Sequence, residues 1–274
     1  MTESRKYRIS TLLILFLLLL TGTAGGYAAQ TYESGFRQKQ TEVSTETAGS
    51  GTVLLGGMPV GIYMETDGVM ILNTEQVRGI DGREYEPASD VVRSGDYITA
   101  VDHKKISGKK ELLEAVAAID GDKVILTVRR GEEDVDVRIE PVEYAPGAYR
   151  LGIWVRDNVQ GLGTVTFLTE QSKFGALGHG IHDTDTNGLM DISGGTVYRT
   201  SIQDIIRGTN GSPGSMEGII VYNNYNVLGS IDKNTEAGIY GTIDRIDELF
   251  EEQISIATAK KEEIETGPAT IRCY

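Results

Sequence analysis

Two histidines stand among acidic and amide side chains in one short segment, residues 175–187. An imidazole titrates near neutral pH, so it can act as a general base when a tight turn fixes its orientation. Imidazoles and carboxylates this close together also suit zinc or calcium. A third interpretation needs no chemistry, because a Gly-rich strand that ends in an Asx turn uses the same residue types. The side chains concerned are His179, His182, Asp183, Asp185 and Asn187.

The spacing of the acidic residues bears on the metal interpretation. Residues 183–188 (DTDTNG) match the start of an EF-hand loop, which needs a bidentate Glu at its twelfth position. That position is Gly194, and Asp191 alone cannot replace the missing ligand. We therefore predict no structural metal and no cofactor. The third histidine, His103, lies apart from the segment, and we expect it to be solvated.

The composition of the chain restricts its partners. The chain has 274 residues, with Lys+Arg 26 against Asp+Glu 40 and a net charge of −14. Phosphate binding needs a basic surface, so we predict no nucleic-acid partner. Cys273 is the only cysteine, which excludes an internal disulfide. A lone thiol without an electropositive setting is not expected to be catalytic.

The N-terminus has the pattern of an export signal. Basic residues around Arg5 precede an uncharged, leucine-rich stretch, residues 9–29. We expect residues 1–30 to be a signal peptide or signal anchor that contacts the membrane, and residues 31–50 to be a polar linker. The remainder of the chain is then exported.

Residues 51–143 contain an order of elements that resembles a PDZ domain. Alternating apolar residues at 60–64 and a second apolar run after an Asp67-Gly68 turn predict two strands. Gly 34 against Pro 6 in the whole chain likewise favours short strands joined by tight turns. The sequences that carry the resemblance are RSGDYITAVD (93–102), ELLEAV in a helix predicted at 109–119, and VILTVRRG (124–131), which opens a hairpin.

The PDZ resemblance implies a groove between one strand and the helix, where a peptide binds by strand addition. Peptide C-termini are the expected ligands. By the same resemblance, the carboxylate-binding loop falls at residues 58–62 and the predicted helix forms the opposite wall. The expected peptide-binding residues are Met58, Val60, Gly61, Ile62, Leu112 and Val116.

Residues 144–274 read as short strands separated by Gly, Asn and Asp turns, which predicts a barrel or a sandwich. A series of motifs in this segment resembles the SpoIVB peptidases, the stage IV sporulation protein B family of serine peptidases. The motifs are GIWVRDNVQGLGTVTF (152–167), FGALGHGIHDTDT (174–186), GTNGSPG (208–214), IDKNTEAGIYG (231–241) and TGPATI (266–271).

This resemblance implies a trypsin-like serine endopeptidase with a His–Asp–Ser triad in that order along the chain. His179 takes the position of the triad histidine, whereas His182 is not expected to be catalytic. The expected fold is mostly β with some α, with a PDZ-like domain at 51–143 followed by an incomplete trypsin-like β-barrel peptidase domain at 144–274. The implied substrate is an inhibitory partner of a membrane-embedded protease, in the space between the two forespore membranes. The resemblance also implies self-cleavage near the N-terminus.

The nucleophile is the part of this assignment that the sequence does not supply. The family's serine belongs to a Gly-Met-Ser-Gly-Ser-Pro motif followed by a His-Val-Phe strand, and neither occurs here. Ser212 follows His179 too closely for the two residues to come from separate barrels. We therefore expect the chain to be C-terminally truncated, to lack the triad Ser and Asp, and to have no peptidase activity of its own. The alternative function is that of a non-catalytic, exported PDZ peptide-binding protein.

Overall fold

Strands dominate the structure, a computed structural model that describes residues 51–273. The strands are β1 (Thr52–Leu55), β2 (Pro59–Thr74), β3 (Val77–Arg78), β4 (Glu84–Tyr85), β5 (Tyr97–Val101), β6 (Lys104–Lys105), β7 (Val124–Arg130), β8 (Glu133–Ile139), β9 (Val142–Ala145), β10 (Ala148–Arg150), β11 (Ile153–Thr169), β12 (Lys173–Ala176), β13 (Ile192–Tyr198), β14 (Thr200–Ile206), β15 (Ser215–Ile220), β16 (Val227–Thr235), β17 (Gly238–Ile243) and β18 (Ser255–Ala257). The helices are α1 (Lys109–Ala117) and α2 (Ile246–Leu249), with single 3₁₀ turns at Asn224–Asn226 and Lys261–Glu263. The prediction of a mostly β chain with some α is confirmed.

The described residues belong to one compact unit. Among them, no helix has both the length and the apolar character needed to cross a membrane. The predicted export signal and linker, residues 1–50, lie outside the described residues.

Helix α1 confirms the helix expected from the apolar spacing, although it ends at Ala117. Its first turn is fixed by Glu111, whose carboxylate accepts hydrogen bonds from the backbone N–H and the hydroxyl of Ser107. These hydrogen bonds favour the charged carboxylate and lower the pKa of Glu111. Leu112 points into the core with 3% of its surface exposed.

Six strands pair in a closed ring, which gives this part of the sheet the topology of a small barrel. β11 pairs with β12, β12 with β17, β17 with β16, β16 with β13, β13 with β2, and β2 again with β11, all antiparallel. Register shifts, such as the one between Arg156 and Asn158, bend the strands as β-bulges do and help the ring to close. The PDZ-like segment contributes β2 to this closed ring, and the incomplete peptidase barrel that the sequence predicts stays a prediction.

Strand β2 is longer than expected because the predicted Asp67-Gly68 turn does not form. The strand runs for 16 residues without interruption. Gly68 has a φ of +94°, and a Cβ there would lie 2.8 Å from the carbonyl oxygen of Ile98, so glycine is required. Arg129 holds the neighbouring Asp67 with hydrogen bonds of 2.6 Å to its carboxylate and 2.8 Å to its carbonyl oxygen. As a result β2 passes from β13 to β5 along one edge instead of folding back as a hairpin.

The two halves of β2 belong to different hydrophobic cores. Ile62 and Met64 fill the inside of the ring, whereas Ile71 packs in a second core with α1 and the β7–β8 hairpin. Strand β11 divides in the same way, since Val165 lies in the ring core and Val155 packs against the second core. The domain boundary at residue 143 stays a prediction, and in the structure each of these two strands contributes to both cores.

The shared strands predict that the two cores unfold together. Leu126 and Leu168 are both fully buried, one in each core. We expect Leu126→Ala and Leu168→Ala each to lower the free energy of unfolding by about 2–5 kcal/mol and to shift one common transition. The measurement is chemical denaturation of the full chain, followed by far-UV circular dichroism and Trp154 fluorescence. Leu113→Ala, at a position 58% exposed, is the matched control. Two separate transitions, each sensitive to one variant, would contradict this prediction.

Candidate active site

His179 lies in a tight turn directly after β12, at one end of the ring. The two preceding residues, Leu177 and Gly178, both have positive φ, 71° and 79°. The N–H of Gly178 donates to the carbonyl oxygen of Ala176 at 2.9 Å, which closes the turn. A left-handed conformation is unfavourable for leucine, so surrounding contacts must hold the turn in place. The turn presents the His179 side chain to solvent.

The backbone next to His179 selects the form of its neutral imidazole. Nδ1 of His179 lies 2.9 Å from the carbonyl oxygen of Gly180. A carbonyl oxygen can only accept a hydrogen bond, so the contact places the proton on Nδ1 and leaves the lone pair on Nε2. An exposed Nε2 with a free lone pair is what a general base needs to take a proton from a substrate or a nucleophile.

Gly180 lets the turn pack against the connection between β16 and β17. Its N–H donates to the carbonyl oxygen of Glu236 at 3.2 Å. A Cβ on Gly180 would lie 2.6 Å from the carbonyl oxygen of Thr235 and 2.4 Å from Cδ1 of Leu189. No real Cβ comes so close to other atoms, so the residue after the histidine must be glycine.

The side chain of Asn234 ties the segment after His179 to β16. Its Oδ1 accepts from the backbone N–H of Ile181 at 2.9 Å. Its Nδ2 donates to the carbonyl oxygens of Ile181 and Met190, at 2.8 and 2.9 Å. One amide thus satisfies three backbone groups at both ends of the loop 181–190 and fixes how the loop leaves the ring.

Arg156 of β11 holds the same loop from the opposite side. Its guanidinium forms an ion pair with the fully buried carboxylate of Asp183 and lies 2.9 Å from the carboxylate of Asp185. Asp183 Oδ1 also accepts the backbone N–H groups of Asp185 and Thr186, both at 2.9 Å. This is an Asx turn whose carboxylate is used structurally. Across residues 51–273, no group of His, Cys, Asp or Glu is arranged to hold a metal ion.

A phenol from the PDZ-like segment supports the end of the loop. The hydroxyl oxygen of Tyr97 accepts the backbone N–H of Asp191 at 3.0 Å. Burial raises the pKa of Tyr97, because an ionised phenolate would lose its hydration there. The phenol therefore stays neutral over the physiological range and serves as a fixed hydrogen-bond acceptor.

The other candidate residues have their polar contacts with residues other than His179. Nε2 of His182 lies 3.3 Å from the carboxylate of Glu236, and His103 lies 3.7 Å from Asp136. Ser212 is at the tip of the β14–β15 hairpin, where its backbone exchanges two hydrogen bonds with Thr209.

The residues expected to bind peptides fall into two separate places. Val60 and Ile62 lie in β2 with at most 2% exposure, and Ile62 is paired with β11 on one edge and with β13 on the other. No further strand can add at Gly61 and Ile62, whereas Met58 and Pro59 line a separate open pocket with Arg199 and Leu228. Peptide binding by residues 58–62 stays a prediction. Leu112 and Val116 pack in the other core, beneath α1.

Arg156 and Asn234 are the positioning residues that the sequence analysis does not single out. Both lie inside motifs that carry the family resemblance, GIWVRD and IDKNTEAG. Their membership of these motifs was the signal available in the sequence. Only the fold shows that these particular side chains make the contacts.

Comparison with known protein families assigns the chain to a class. Residues 56–140 match the PDZ domain, and residues 147–274 match the SpoIVB peptidase S55 family. The two matches define a peptidase with a PDZ domain. The match of residues 147–274 to the SpoIVB peptidase S55 family confirms the resemblance that the motifs around His179 predict.

A solved PDZ domain is among the structures to which part of the chain is similar. The PDZ domain of the SdrC-like protein from Listeria monocytogenes is 24% identical, over 32% of this chain and 87% of its own, with a TM-score of 0.26. No curated protein matches the chain.

The amide of Asn234 generates a prediction about the loop 181–190. Asn234→Asp keeps an acceptor for the N–H of Ile181 but removes both donors and turns a carboxylate toward two carbonyl oxygens. We expect a loss of about 2 kcal/mol and at least about tenfold faster amide hydrogen exchange in the loop. Asn73→Asp is the matched control, because Asn73 is exposed and uses only its oxygen, which accepts the N–H of Thr74. Equal exchange in the two variants would show that the amide does not hold the loop.

The ion pair of Arg156 generates a second prediction. Arg156→Ala leaves the Asp183 carboxylate buried without its cation, which costs about 3–5 kcal/mol. Arg138→Ala removes an exposed arginine and is expected to change stability by no more than about 0.5 kcal/mol. Adding Asp183→Asn to Arg156→Ala should restore part of the loss, since the amide oxygen still accepts the two backbone N–H groups. The free energy of unfolding of each variant is measured by denaturation. Equal losses for Arg156→Ala and Arg138→Ala would contradict the prediction.

Proposed function

We propose that this chain carries the histidine-bearing part of a serine endopeptidase and that His179 is its general base. The observation that supports this most directly is the contact of His179 Nδ1 with the Gly180 carbonyl oxygen, within the segment that matches the SpoIVB peptidase S55 family. In this role Nε2 takes the proton of a serine hydroxyl as the hydroxyl oxygen attacks a peptide carbonyl. The same nitrogen then returns the proton to the leaving amine.

A histidine alone does not make an efficient peptidase. Within residues 51–273, the hydrogen bond of the His179 side chain is to a backbone carbonyl, and neither a hydroxyl nor a carboxylate contacts its ring. Acyl transfer also needs a nucleophile and oxyanion-hole donors in fixed positions. We propose that the 274-residue chain has no peptidase activity by itself and that the serine and aspartate come from outside the described residues.

The family suggests where such a peptidase acts. We propose that the chain is exported through its N-terminal segment and works in the space between the two membranes around a forespore. Its substrate there is an inhibitory partner of a membrane-embedded protease, so that cleavage relays a sporulation signal. The basic and then leucine-rich N-terminus supports export, and the family match supports the proteolytic role. Self-cleavage near the N-terminus belongs to the same proposal.

A second candidate function is peptide binding without catalysis. The PDZ match at residues 56–140 favours it, and so does an open pocket of about 510 Å³ beside α1. In that case the ring would serve as a scaffold for the peptide-binding part.

Two histidines in one loop provide a matched test of the catalytic role. The 274-residue chain is compared with a longer version of the protein. The longer version includes the sequence that the gene encodes beyond Tyr274, where the serine motif is expected. We expect a serine-directed fluorophosphonate to label only the extended form. In that form, His179→Gln should lower peptide hydrolysis by about 10²- to 10⁴-fold, whereas His182→Gln should leave it nearly unchanged.

Two results would contradict the proposal. Hydrolysis by the extended form that survives His179→Gln would exclude His179 as the base. Labelling of the 274-residue chain that disappears on Ser212→Ala would identify Ser212 as a nucleophile and would refute the proposed inactivity.

A further inference from the structure

We infer that the β14–β15 hairpin forms an apolar wall beside His179, made by Ile205 and Met216. We further infer that this wall selects a peptide substrate with a large apolar side chain near the bond that is cleaved. The selection depends on His179 acting as the general base, as proposed above, and it identifies residues that determine which peptide is cleaved.

Strand β15 crosses the outside of the ring from β2 toward β11. Gly61 of β2 and Leu162 of β11 are register partners, and they lie next to each other in the ring. A Cβ on Gly61 would lie 2.7 Å from Cγ2 of Ile220. A Cβ on Gly218 would likewise lie 3.2 Å from Cδ1 of Leu162. The hairpin therefore passes from β2 to β11 as the chain is followed from Ile220 back to Gly218.

Three tyrosine rings fix the base of the hairpin to the ring of strands. Tyr222 follows β15, and its side chain stands edge-on to Tyr198 of β13 and Tyr63 of β2. The ring centroids are 5.1 and 5.7 Å apart, respectively. Edge-to-face contacts of this kind stabilise more than the buried area alone. The direction of the hairpin is thus set by contacts with two strands of the ring.

The turn that carries His179 lies on the side of β11 toward which the hairpin points. The N–H of Leu177 donates to the carbonyl oxygen of Thr164 at 3.0 Å, which continues the antiparallel pairing of β12 with β11. Followed for two more residues along each chain, the same pairing brings the turn at His179 beside Leu162.

The hairpin is long enough to reach this turn. Two residues of β15 beyond Gly218 extend about 7 Å, which exceeds the spacing of about 5 Å between neighbouring strands. Met216 lies two residues beyond Gly218, and Ile205 is its cross-strand partner. This pair of side chains therefore passes over β11 and stands beside His179.

The two faces of the hairpin differ in composition. Residues directly opposite each other in a pair of strands share a face, and alternate residues of one strand share a face as well. Ile205 and Met216 are consequently on the face that Gly218 turns toward the ring. The opposite face carries two carboxylates, Asp204 and Glu217, which are also cross-strand partners. Ile205 is 60% exposed, so it is free to contact a substrate.

The wall indicates the chemistry of the substrate side chain. Ile205 and Met216 offer only apolar atoms, and an apolar side chain that packs against them is removed from water. Arg207 follows β14 directly and is exposed, so a charged substrate residue would also respond to that cation. Leucine and alanine carry no charge, and a comparison of these two residues isolates the apolar contact.

The first experiment locates the hairpin and needs no catalysis. It uses the 274-residue chain with Cys273→Ser, a nitroxide attached at Ile205→Cys, and NMR of the imidazole Cε1–H signals of the three histidines. We expect the nitroxide to broaden the signal of His179 strongly and to leave that of His103 sharp. A label at Ile80→Cys is the control, because Ile80 is 56% exposed and lies at a pocket of the PDZ-like segment.

The second experiment measures specificity in the longer version of the protein. Pairs of peptides differ only by Leu or Ala at one position, which is moved along both sides of the cleaved bond. At one position we expect kcat/KM to favour Leu by about tenfold or more. Ile205→Ala and Met216→Ala should each reduce this preference severalfold. Ile219→Ala is the matched control, because Ile219 is 54% exposed and lies on the opposite face of the same hairpin.

The outcomes separate this inference from the proposal on which it rests. A broadened His179 signal, together with a preference that falls in Ile205→Ala but not in Ile219→Ala, supports the wall. A sharp His179 signal, or a preference that is equal in all variants, would overturn the inference and leave His179 as the base. Hydrolysis that survives His179→Gln, or no hydrolysis by the longer version, would overturn both.

A second copy of the chain could also cover the wall. Sedimentation of the 274-residue chain distinguishes this case. We expect the same sedimentation coefficient with and without Ile205→Ala. Self-association that Ile205→Ala abolishes would assign the wall to an interface between copies and would overturn the inference.

Discussion

The antiparallel pairing of β2 with β11 is the interaction on which the rest of this structure depends. The two strands stay paired from Ile153 with Thr74 to Thr164 with Pro59. One half of the pair closes the six-stranded ring, and the other half forms part of the sheet that packs against α1. Backbone hydrogen bonds along a pair this long leave little freedom for one part to move without the other. The PDZ segment and the peptidase segment consequently share two strands within one compact unit.

The turn at His179 depends on this arrangement because it cannot stabilise itself. Leu177 has an unfavourable left-handed conformation, and the exposed imidazole adds no packing. The turn is held by Leu177, which packs against the ring core, and by the N–H groups of Leu177 and Gly180, which donate to the carbonyl oxygens of Thr164 and Glu236. The loop that follows is held by polar contacts from other elements: Arg156 on β11 reaches the buried Asp183, and Asn234 on β16 satisfies both ends of the loop. Backbone strain beside a candidate catalytic residue, compensated by contacts from other elements, is a common arrangement in enzymes. It explains why motifs far apart in the sequence accompany the histidine.

Much of the local structure could be predicted from the sequence. The apolar spacing of Leu112 and its neighbours predicted α1, and the alternation from Val124 to Ile139 predicted the β7–β8 hairpin. The motif around His179 predicted an imidazole in a tight turn flanked by glycines. These features depend on contacts within a few residues, so periodicity and turn composition are sufficient to predict them.

The sequence by itself determined the strand-rich character, the helix, the family and the identity of the candidate base. Only the tertiary structure decided that Asp67-Gly68 continues a strand, that β2 closes a ring, and that Gly61 and Ile62 lie between β11 and β13. The physical reason is that alternation of apolar residues marks a strand without specifying its partner. Which strands pair depends on hydrogen bonds and side-chain packing between residues far apart in the chain, as for β2 and β11, whose partners run from Ile153 with Thr74 to Thr164 with Pro59. Local sequence patterns carry no information about those contacts.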